Sequence, residues 1–524
     1  MSLPVAPVGT LDLNRTARTF LLITIALVAA LAAIYLFLPV LSSMVRVPLA
    51  YTEGWNAYHA ARAVGEARLY PSEPVWINQN YPPLSFYING LLGNAIGDHL
   101  LAARYVSLAA LVACALFLAI IGRRLSGGWL PGVFSGVLFL CLIGALFTEY
   151  VGIADPQFLA HAFSAAGLAL FVWRRSDGWP LVLAAVLMVL GGLVKQVVLP
   201  IPLAVFLWLA IYDRVAAVRF AVYGAASALL AVAVCYLLWG GDFFESMLSA
   251  RVYSTTTLAV RGVHWLAMLA MPLLFWLVLL FGSRRDPAAV FVHLYVVLSV
   301  ALGVFIGGGA GVGINAGFDA TLALSLAAGL AMARLDLSTP MAPSLPPAVS
   351  KPVMGLVLVS TTFMHLSTLS YDLMAVKNGD LAAWDEATEA DLALLRASDG
   401  DAICETLSLC YWAGQPLVVD PYGSRQFFAL GVADEAELLE ALKRGDIRSL
   451  QLERLARTQW DERFSPAFMD TVNAHFRQVR NSRNGYFFVY NQPEPPSPAD
   501  QPLTTSGEPD ASSLLPPAHA PTDS

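Results

Sequence analysis

Apolar runs of about 20 residues recur along this chain, and they constrain its fold more than any other feature. A helix needs about 20 apolar residues to cross the hydrocarbon core of a bilayer. Only 13% of the residues are charged and 57% are hydrophobic, whereas soluble domains carry about 25% charged residues. Most of the chain is therefore not expected to face water. We expect a polytopic α-helical membrane protein.

The hydropathy pattern predicts about eleven membrane spans. They cover residues 20–41, 100–122, 129–148, 154–173, 179–194, 197–212, 217–239, 263–282, 288–306, 315–333 and 352–373. The stretch 82–97 is apolar but short and interrupted by glycine, which predicts an interfacial or re-entrant segment. The first run, 20–41, is too long for the apolar region of a cleaved signal peptide.

Basic residues predict the orientation, because Lys and Arg concentrate in cytoplasmic loops. They occur before the first span and then at every second loop: Arg15, Arg18, Arg123, Arg124, Arg174, Arg175, Arg214, Arg219, Arg284, Arg285, Arg334 and Lys351. We therefore expect a multi-pass protein of the inner cell membrane with a cytoplasmic N-terminus. The loops 42–99, 149–153, 240–262 and 307–314, and everything after residue 373, would face outward. The net charge of −7 gives no basic patch, so nucleic acid is not an expected partner.

The composition changes near Asp385, where charged helical patterns begin to alternate with short apolar runs. Helices are predicted at 385–397, 434–446 and 465–479, and strands at 416–420, 447–455 and 485–490. This alternation predicts a small extracytoplasmic α/β domain over 376–491, after a transmembrane domain over 1–375. Residues 492–524 are rich in Pro and Ser and poor in large apolar residues, which predicts a disordered tail.

Two cysteines, Cys404 and Cys410, fall in the outward region. An oxidising compartment would permit a disulfide between them. The two cysteines could equally be separate buried thiols, so both interpretations stay open. No Cys/His spacing typical of a metal site occurs in the sequence.

Ionisable and polar residues gather at the outward ends of the predicted spans, where burial in a membrane is costly and each is a functional candidate. They are Glu53, Arg62, Glu149, Asp155, Lys195, Arg251 and Asp319, with His59, Asn80, Tyr81, His161, Tyr253, His264 and Asn315 as neighbours. A transporter carries such groups through the midplane. Their gathering at one face is typical of an enzyme site at the outer membrane surface.

Several of these residues also have a purely structural interpretation. Arg62 could anchor a lipid headgroup, and Lys195 could extend to the interface instead of meeting a phosphate. Asp155 could simply be an acid at a helix start. His161 and His264 are of a type that is often buried in a core. Single residues decide little, so the hypothesis depends on the group.

The segments "TEGWNAYHAARAVGEARLYP" and "NYPPLSFY" resemble the first outward loop of the GT-C superfamily of membrane glycosyltransferases. The branch is that of the protein mannosyltransferases and the aminoarabinose transferases. The matching elements are Glu53-Gly54, Gly65 to Tyr70, Tyr81-Pro82-Pro83, and a second acidic motif with Asp155 in "IADPQFLAHAFSAAGL". "ICETLSLCYWAGQPLVVDPYGSRQF" resembles the soluble domain of the same branch. The resemblance covers residues 50–490.

The resemblance implies transfer of a sugar, with inversion, from a polyprenyl-phosphate donor to an acceptor at the outer face. The acceptor would be a glycan, a lipid or a protein. Glu53 would be the base, and Asp155 would orient the base or hold a divalent metal. Lys195 and Arg251, with Arg62 and His161 behind them, would bind the lipid phosphate. Further substrate contacts would come from His59, Asn80, Tyr81, Tyr253, Asn315 and Asp319.

The chain departs from the family at one position that matters for catalysis. The family usually reads Asp-Glu where this chain reads Thr52-Glu53, and the Asp is often the base. Glu53 takes that role, or Asp155 does, or the protein is a non-catalytic binding protein on the same fold. A transporter or flippase for a lipid-linked sugar is the other alternative, although neither inverted repeats nor midplane charges are evident.

Overall fold

The computed structural model describes residues 15–70, 76–174, 178–249, 251–283, 286–334, 377–454 and 463–491, with a few single positions between 357 and 374. The predicted tail, 492–524, lies outside the described residues, and so does nearly all of the predicted eleventh span, 352–373. Residues up to Tyr490 belong to one compact unit. The division near residue 376 stays a prediction.

The first part of the chain is helical. Its helices are α1 (Arg15–Ser42), α2 (Glu53–Val64), α3 (Leu84–Ile96), α4 (His99–Ser126), α5 (Trp129–Leu146), α6 (Gln157–Trp173), α7 (Trp179–Val194), α8 (Pro200–Tyr212), α9 (Arg214–Trp239), α10 (Gly241–Met247), α11 (Thr255–Met268), α12 (Ala270–Gly282), α13 (Pro287–Ile306) and α14 (Phe318–Arg334). Ten predicted spans coincide with these helices. The short stretch 82–97 forms α3, whose 13 residues are too few to cross a bilayer.

Six of the described helices are long and apolar enough to cross a membrane: α1, α4, α5, α9, α13, and α14 with the turn before it. The helices α6, α7 and α8 are apolar but shorter. The single straight span predicted over 263–282 corresponds to two helices, α11 and α12, with a bend of 76° between them, which is the geometry of a broken span or a re-entrant loop. The total of about eleven spans stays a prediction.

Helix α9 explains where the apolar surface of the molecule goes. Leu229 is 70% exposed and Leu237 is 82% exposed, and Val222 is exposed as well. Such a surface would be unfavourable in water, but it is favourable against lipid tails. The helical part is therefore that of a membrane protein.

The second part of the chain is a small α/β region. Its elements are α15 (Asp380–Arg396), β1 (Asp401–Cys404), α16 (Leu407–Ala413), α17 (Pro421–Ala429), α18 (Glu435–Arg444), β2 (Ile447–Leu452), α19 (Pro466–His475), β3 (Phe476–Ser482) and β4 (Gly485–Tyr490). The strand order is β1-β2-β4-β3. The β1–β2 pair is parallel and the other two pairs are antiparallel.

The structure corrects three predictions in this region. Residues 416–420, predicted as a strand, are an irregular segment leading into α17. A helix is predicted over 465–479, but the observed helix ends at His475. Residues 476–479 belong to β3, which pairs with β4. Strand β1 was not predicted, since four residues are too few to show a periodic pattern. The two cysteines form a disulfide that closes the loop between β1 and α16.

Helix α16 packs directly on α2, and Gly54 makes this approach possible. A Cβ at Gly54 would lie 2.1 Å from the carbonyl carbon of Leu407. Trp412 Nε1 also donates to Asp98 Oδ2 at 3.1 Å, which ties α16 to the start of α4. The α/β region is thereby fixed beside the start of α2, which carries Thr52 and Glu53.

Candidate active site

Two adjoining cavities lie where the α/β region meets the ends of the helices. The large one has a volume of about 720 Å³ and the small one about 70 Å³. The residues that line both are Tyr81, Arg251, Gly311, Val312 and Asn315. The large cavity is of the size that binds small ligands, and the small one extends from it towards α6 and α7.

Glu53 lies behind the wall of the large cavity, in a sealed ion pair. Arg104 of α4 donates through Nε and Nη2 to the two carboxylate oxygens of Glu53, both at 2.7 Å. Neither side chain is more than 1% exposed. Arg104 also donates to the carbonyl oxygens of Val45 and Val47, so it fixes the segment that leads into α2.

Three backbone N–H groups complete the shell around Glu53. Leu49 and Ala50 donate to Oε2 at 3.0 and 3.2 Å, and Ala154 donates to Oε1 at 3.0 Å. With the two bonds from Arg104, these contacts occupy the sites at which a carboxylate accepts a hydrogen bond. The neighbouring Thr52, by contrast, lines the large cavity.

Asp155 and Lys195 form a second, more open ion pair. The Lys195 Nζ lies 3.4 Å from both oxygens of Asp155. This distance is longer than the roughly 2.7–2.9 Å of strong charge-assisted hydrogen bonds. Asp155 precedes α6 and accepts from the Gln157 N–H at 2.7 Å. Lys195 follows the last residue of α7 and lies 4.9 Å from the centre of the Tyr81 ring. Asp155 lines the large cavity and Lys195 the small one.

A polar network supports this pair from within the helices. Gln157 Nε2 lies 3.2 Å from His161 Nε2, and Asn315 Nδ2 donates to Gln157 Oε1 at 3.4 Å. His161 Nδ1 lies 3.8 Å from Asp319 Oδ1, which also accepts from the Tyr295 hydroxyl. Gln157, Asn315 and Asp319 line the small cavity, while His161 is fully buried behind it.

The α/β region supplies the opposite wall of the large cavity. Arg463 forms ion pairs with Glu405 and Glu453 and lies 4.2 Å from the centre of the Tyr51 ring. Asp420, at the start of α17, lines the same wall. Burial raises the pKa of the Asp420 carboxyl to about 6, although backbone N–H groups and the charge of Arg251 oppose this shift.

Seven of the residues predicted from the sequence line one or both cavities: Asn80, Tyr81, Asp155, Lys195, Arg251, Asn315 and Asp319. Glu149, the other outward acid, also lines the large cavity, and burial raises its pKa. The fold therefore brings most of the predicted group to the two cavities, although the residues come from distant parts of the chain, and their role at a site stays a prediction.

Four further candidates, besides Glu53 and His161, do not line either cavity. Arg62 lies half-buried in the last turn of α2. His59 is fully buried, with its ring 4.3 Å from that of Trp55. Tyr253 is 46% exposed and donates to the carbonyl of Phe305. His264 is exposed on α11.

Sequence reasoning missed Arg104 and the cavity residues of the α/β region, including Asp420 and Arg463. Arg104 could have been found from the sequence, since it is a charged residue inside a predicted membrane span. Asp420 and Arg463 could not, because only the packing of the α/β region places them at the cavity.

The donor set at Asp155 does not suit a divalent metal. Within the described ranges there is no group of three or more His, Cys, Asp or Glu that could hold an ion. Asp155 is instead paired with the ammonium of Lys195, which repels a second cation.

No protein-family model matches the sequence, and no curated protein matches it. The fold is similar to that of ArnT from Cupriavidus metallidurans in the apo state, with a TM-score of 0.56 and 12% identity over 90% of this chain and 98% of that chain. The structure of ArnT bound to undecaprenyl phosphate matches with a TM-score of 0.56 and 12% identity, over 88% and 97% of the two chains. The Archaeoglobus fulgidus oligosaccharyltransferase in the apo form matches with a TM-score of 0.50 and 12% identity, over 83% and 69%.

Both of these proteins are GT-C glycosyltransferases. This chain shares the GT-C fold with both structures, as the order of its motifs predicts. The likeness to ArnT extends over nearly the whole length of both chains.

Proposed function

We propose that this protein transfers a sugar from a polyprenyl-phosphate carrier to an acceptor at the outer face of the membrane. The observation that carries the proposal is the open Asp155–Lys195 pair at the junction of the two cavities. It sets a carboxylate and a cation side by side, next to a cavity large enough for a sugar. The GT-C fold supports the same reaction class.

The donor phosphate would bind at Lys195 and Arg251. Both residues line the small cavity, and Arg251 also lines the large one. A leaving phosphate develops negative charge, which fixed cations stabilise. The similar ArnT structure contains undecaprenyl phosphate, which fits a lipid-phosphate donor here. The sugar would occupy the large cavity, against Trp55, Asn80, Tyr81 and Asn315.

Asp155 would act as the general base. The acceptor hydroxyl oxygen attacks the anomeric carbon, and its proton passes to the Asp155 carboxylate. The bond from the anomeric carbon to the phosphate oxygen breaks, and the polyprenyl phosphate leaves with that electron pair. Attack opposite the leaving group inverts the anomeric centre. Glu53 suits this role less well, because five donors already hold its oxygens.

The cavity would open on the outer side of the inner cell membrane, with the N-terminus in the cytoplasm and the α/β region outside. The disulfide between Cys404 and Cys410 supports this placement, because disulfides persist in oxidising compartments. The basic loops between the spans support it independently.

The test starts with mass spectrometry of envelope glycans from cells lacking this protein, which identifies the missing sugar. The purified full-length protein is then assayed with that sugar on a polyprenyl-phosphate carrier and envelope extract as acceptor. Lys195→Gln should raise the donor KM roughly ten-fold or more, since a buried charge contact is lost. Arg62→Gln is the matched control, because Arg62 is another cation predicted on the outward side, in α2, and it lines neither cavity.

Two results would contradict the proposal. If the wild-type protein never consumes the donor, the enzyme assignment fails and a binding or transport role remains. If Lys195→Gln and Arg62→Gln have the same donor KM as the wild type, the phosphate is bound elsewhere.

A further inference from the structure

Two arginines with no role in the proposed reaction lie at the edge of the large cavity formed by the α/β region. Arg454 follows the end of β2, and Arg483 lies in the turn between β3 and β4. Both line the cavity, together with Asn484 and Gly485 of the same turn. Both side chains are exposed.

Each guanidinium is held in place by an aromatic ring and a hydrogen bond. Arg483 lies 4.3 Å from the centre of the Trp384 ring and donates to the carbonyl of Asp380. Arg454 lies 5.7 Å from the centre of the Tyr486 ring and donates to the carbonyl of Ser482. A stacked arginine loses less conformational freedom when it binds a ligand.

The turn that presents these arginines is rigid. Trp384 Nε1 donates to Asn484 Oδ1 at 2.7 Å, so the ring beneath Arg483 is fixed. Asn484 Nδ2 and the Ser482 hydroxyl both donate to the fully buried Asp391, at 2.8 and 2.6 Å. The edge of the cavity is therefore organised before any ligand arrives.

Arg454 and Arg483 take part in no ion pair among the described residues. In the part of the chain that the structure describes, neither has a carboxylate within 4.0 Å. Arg463, in the same wall, has two carboxylate partners. An arginine that uses one or two of its five N–H donors retains others for an anion.

We propose that Arg454 and Arg483 form a subsite for an anionic group on the acceptor. This rests on the proposed function, and it narrows the acceptor to a molecule that carries a phosphate or a carboxylate. Guanidinium groups match the planar oxygen pairs of both anions. The anion binds at the outer edge and directs the acceptor hydroxyl towards Asp155 at the inner end of the cavity.

The test compares acceptor kinetics of the purified full-length protein with those of Arg454→Gln/Arg483→Gln. The acceptor KM should rise roughly ten- to hundred-fold, because charged hydrogen bonds are lost, while the donor KM and the kcat stay unchanged. Arg448→Gln is the matched control. Arg448 is stacked on Tyr490 in the same sheet, 5.3 Å from the ring centre, and does not belong to the cavity lining. Arg454→Lys/Arg483→Lys keeps the charge and should recover part of the affinity.

Treating the acceptor extract distinguishes the two anions. Phosphatase treatment should weaken transfer by the wild-type protein if the group is a phosphate, and amidation with a carbodiimide should do so if it is a carboxylate. The effective treatment should also abolish the difference between the wild type and the double variant.

The subsite is overturned if the double glutamine variant keeps the wild-type acceptor KM, or if neither treatment weakens transfer. It is also overturned if Arg448→Gln raises the KM as much as the double variant does. In each of these results the wild-type protein still transfers sugar, so only the proposed subsite is disproved. If the wild-type protein transfers no sugar, both the proposed function and the subsite are disproved.

Discussion

Two acid–base pairs lie close together in this protein, and they differ in every property that matters for catalysis. Glu53 and Arg104 are in contact at 2.7 Å and sealed from solvent. Asp155 and Lys195 are 3.4 Å apart and line cavities. A carboxylate that is fully hydrogen-bonded to donors stabilises a fold, whereas one with free acceptor capacity can take up a proton. The difference supports a structural role for the first pair and the proposed catalytic role for the second.

The two pairs are nevertheless linked. Ala154 donates its N–H to Glu53, and Asp155 follows directly in the chain. Glu53 therefore positions the backbone that carries Asp155. Loss of the sealed pair should therefore lower the amount of folded protein, whereas loss of the open pair should leave the fold intact.

The largest expected effect is on stability, from breaking the sealed pair. Glu53→Ala leaves the Arg104 charge buried without a partner, as Arg104→Ala does for Glu53. Each should destabilise the protein by about 3–5 kcal/mol. Thermal unfolding of the detergent-solubilised protein measures this, and the double variant should lose less than the sum of the single losses. A Glu53→Ala protein with wild-type stability and no transfer would make Glu53 the base instead.

A smaller loss of stability is expected from a change in the packing of α16 on α2, beside the sealed pair, that alters no charge. Gly54→Ala places a methyl group against the backbone of Leu407, which should cost about 1–3 kcal/mol. Gly192→Ala in α7 is the control, because a Cβ there has open space around it. Thermal unfolding should separate the two variants. Equal unfolding midpoints would mean that α16 does not pack tightly on α2.

Asp420 extends the comparison to a third acid, one whose protonated form burial favours more than in the unfolded chain. Burial raises its folded-state pKa to about 6, from an unfolded value of 3.8. The contribution of Asp420 to the free energy of unfolding is therefore fully present below pH 3.8 and is lost as the pH rises through about 6. Relative to the wild type, Asp420→Asn should become more stable as the pH rises from about 4 to 7. Unfolding curves of the two proteins that stay parallel over this range would contradict the shift.

The smallest effect is expected at a predicted residue that lines neither cavity. Tyr253→Phe removes one hydrogen bond to Phe305 on an exposed side chain. Surface changes of this kind stay within about 0.5 kcal/mol, so the transfer rate should stay within roughly two-fold. A larger loss of transfer would show that the substrate reaches beyond the described cavities.

The sequence predicted the GT-C fold from the order of short motifs, and it predicted most helices from apolar runs. It also singled out Asp155, Lys195 and Arg251, which line the cavities, because charged residues near membrane spans are conspicuous. It could not show that Glu53 is sealed, since its partner Arg104 lies 51 residues away on another helix. The strand predicted at 416–420 failed because a short apolar run has no period that distinguishes a strand from a buried irregular segment.

The most direct test of the account compares the transfer rates of Asp155→Asn and Glu53→Gln per folded molecule. The purified proteins are assayed with the polyprenyl-phosphate sugar, and the folded fraction is measured on the same samples. Asp155→Asn should keep the fold and lose transfer by roughly 10²–10⁴-fold, the contribution typical of a general base. Glu53→Gln should lose folded protein, while the molecules that remain folded retain much of their transfer. An Asp155→Asn protein that transfers sugar at the wild-type rate would contradict the account.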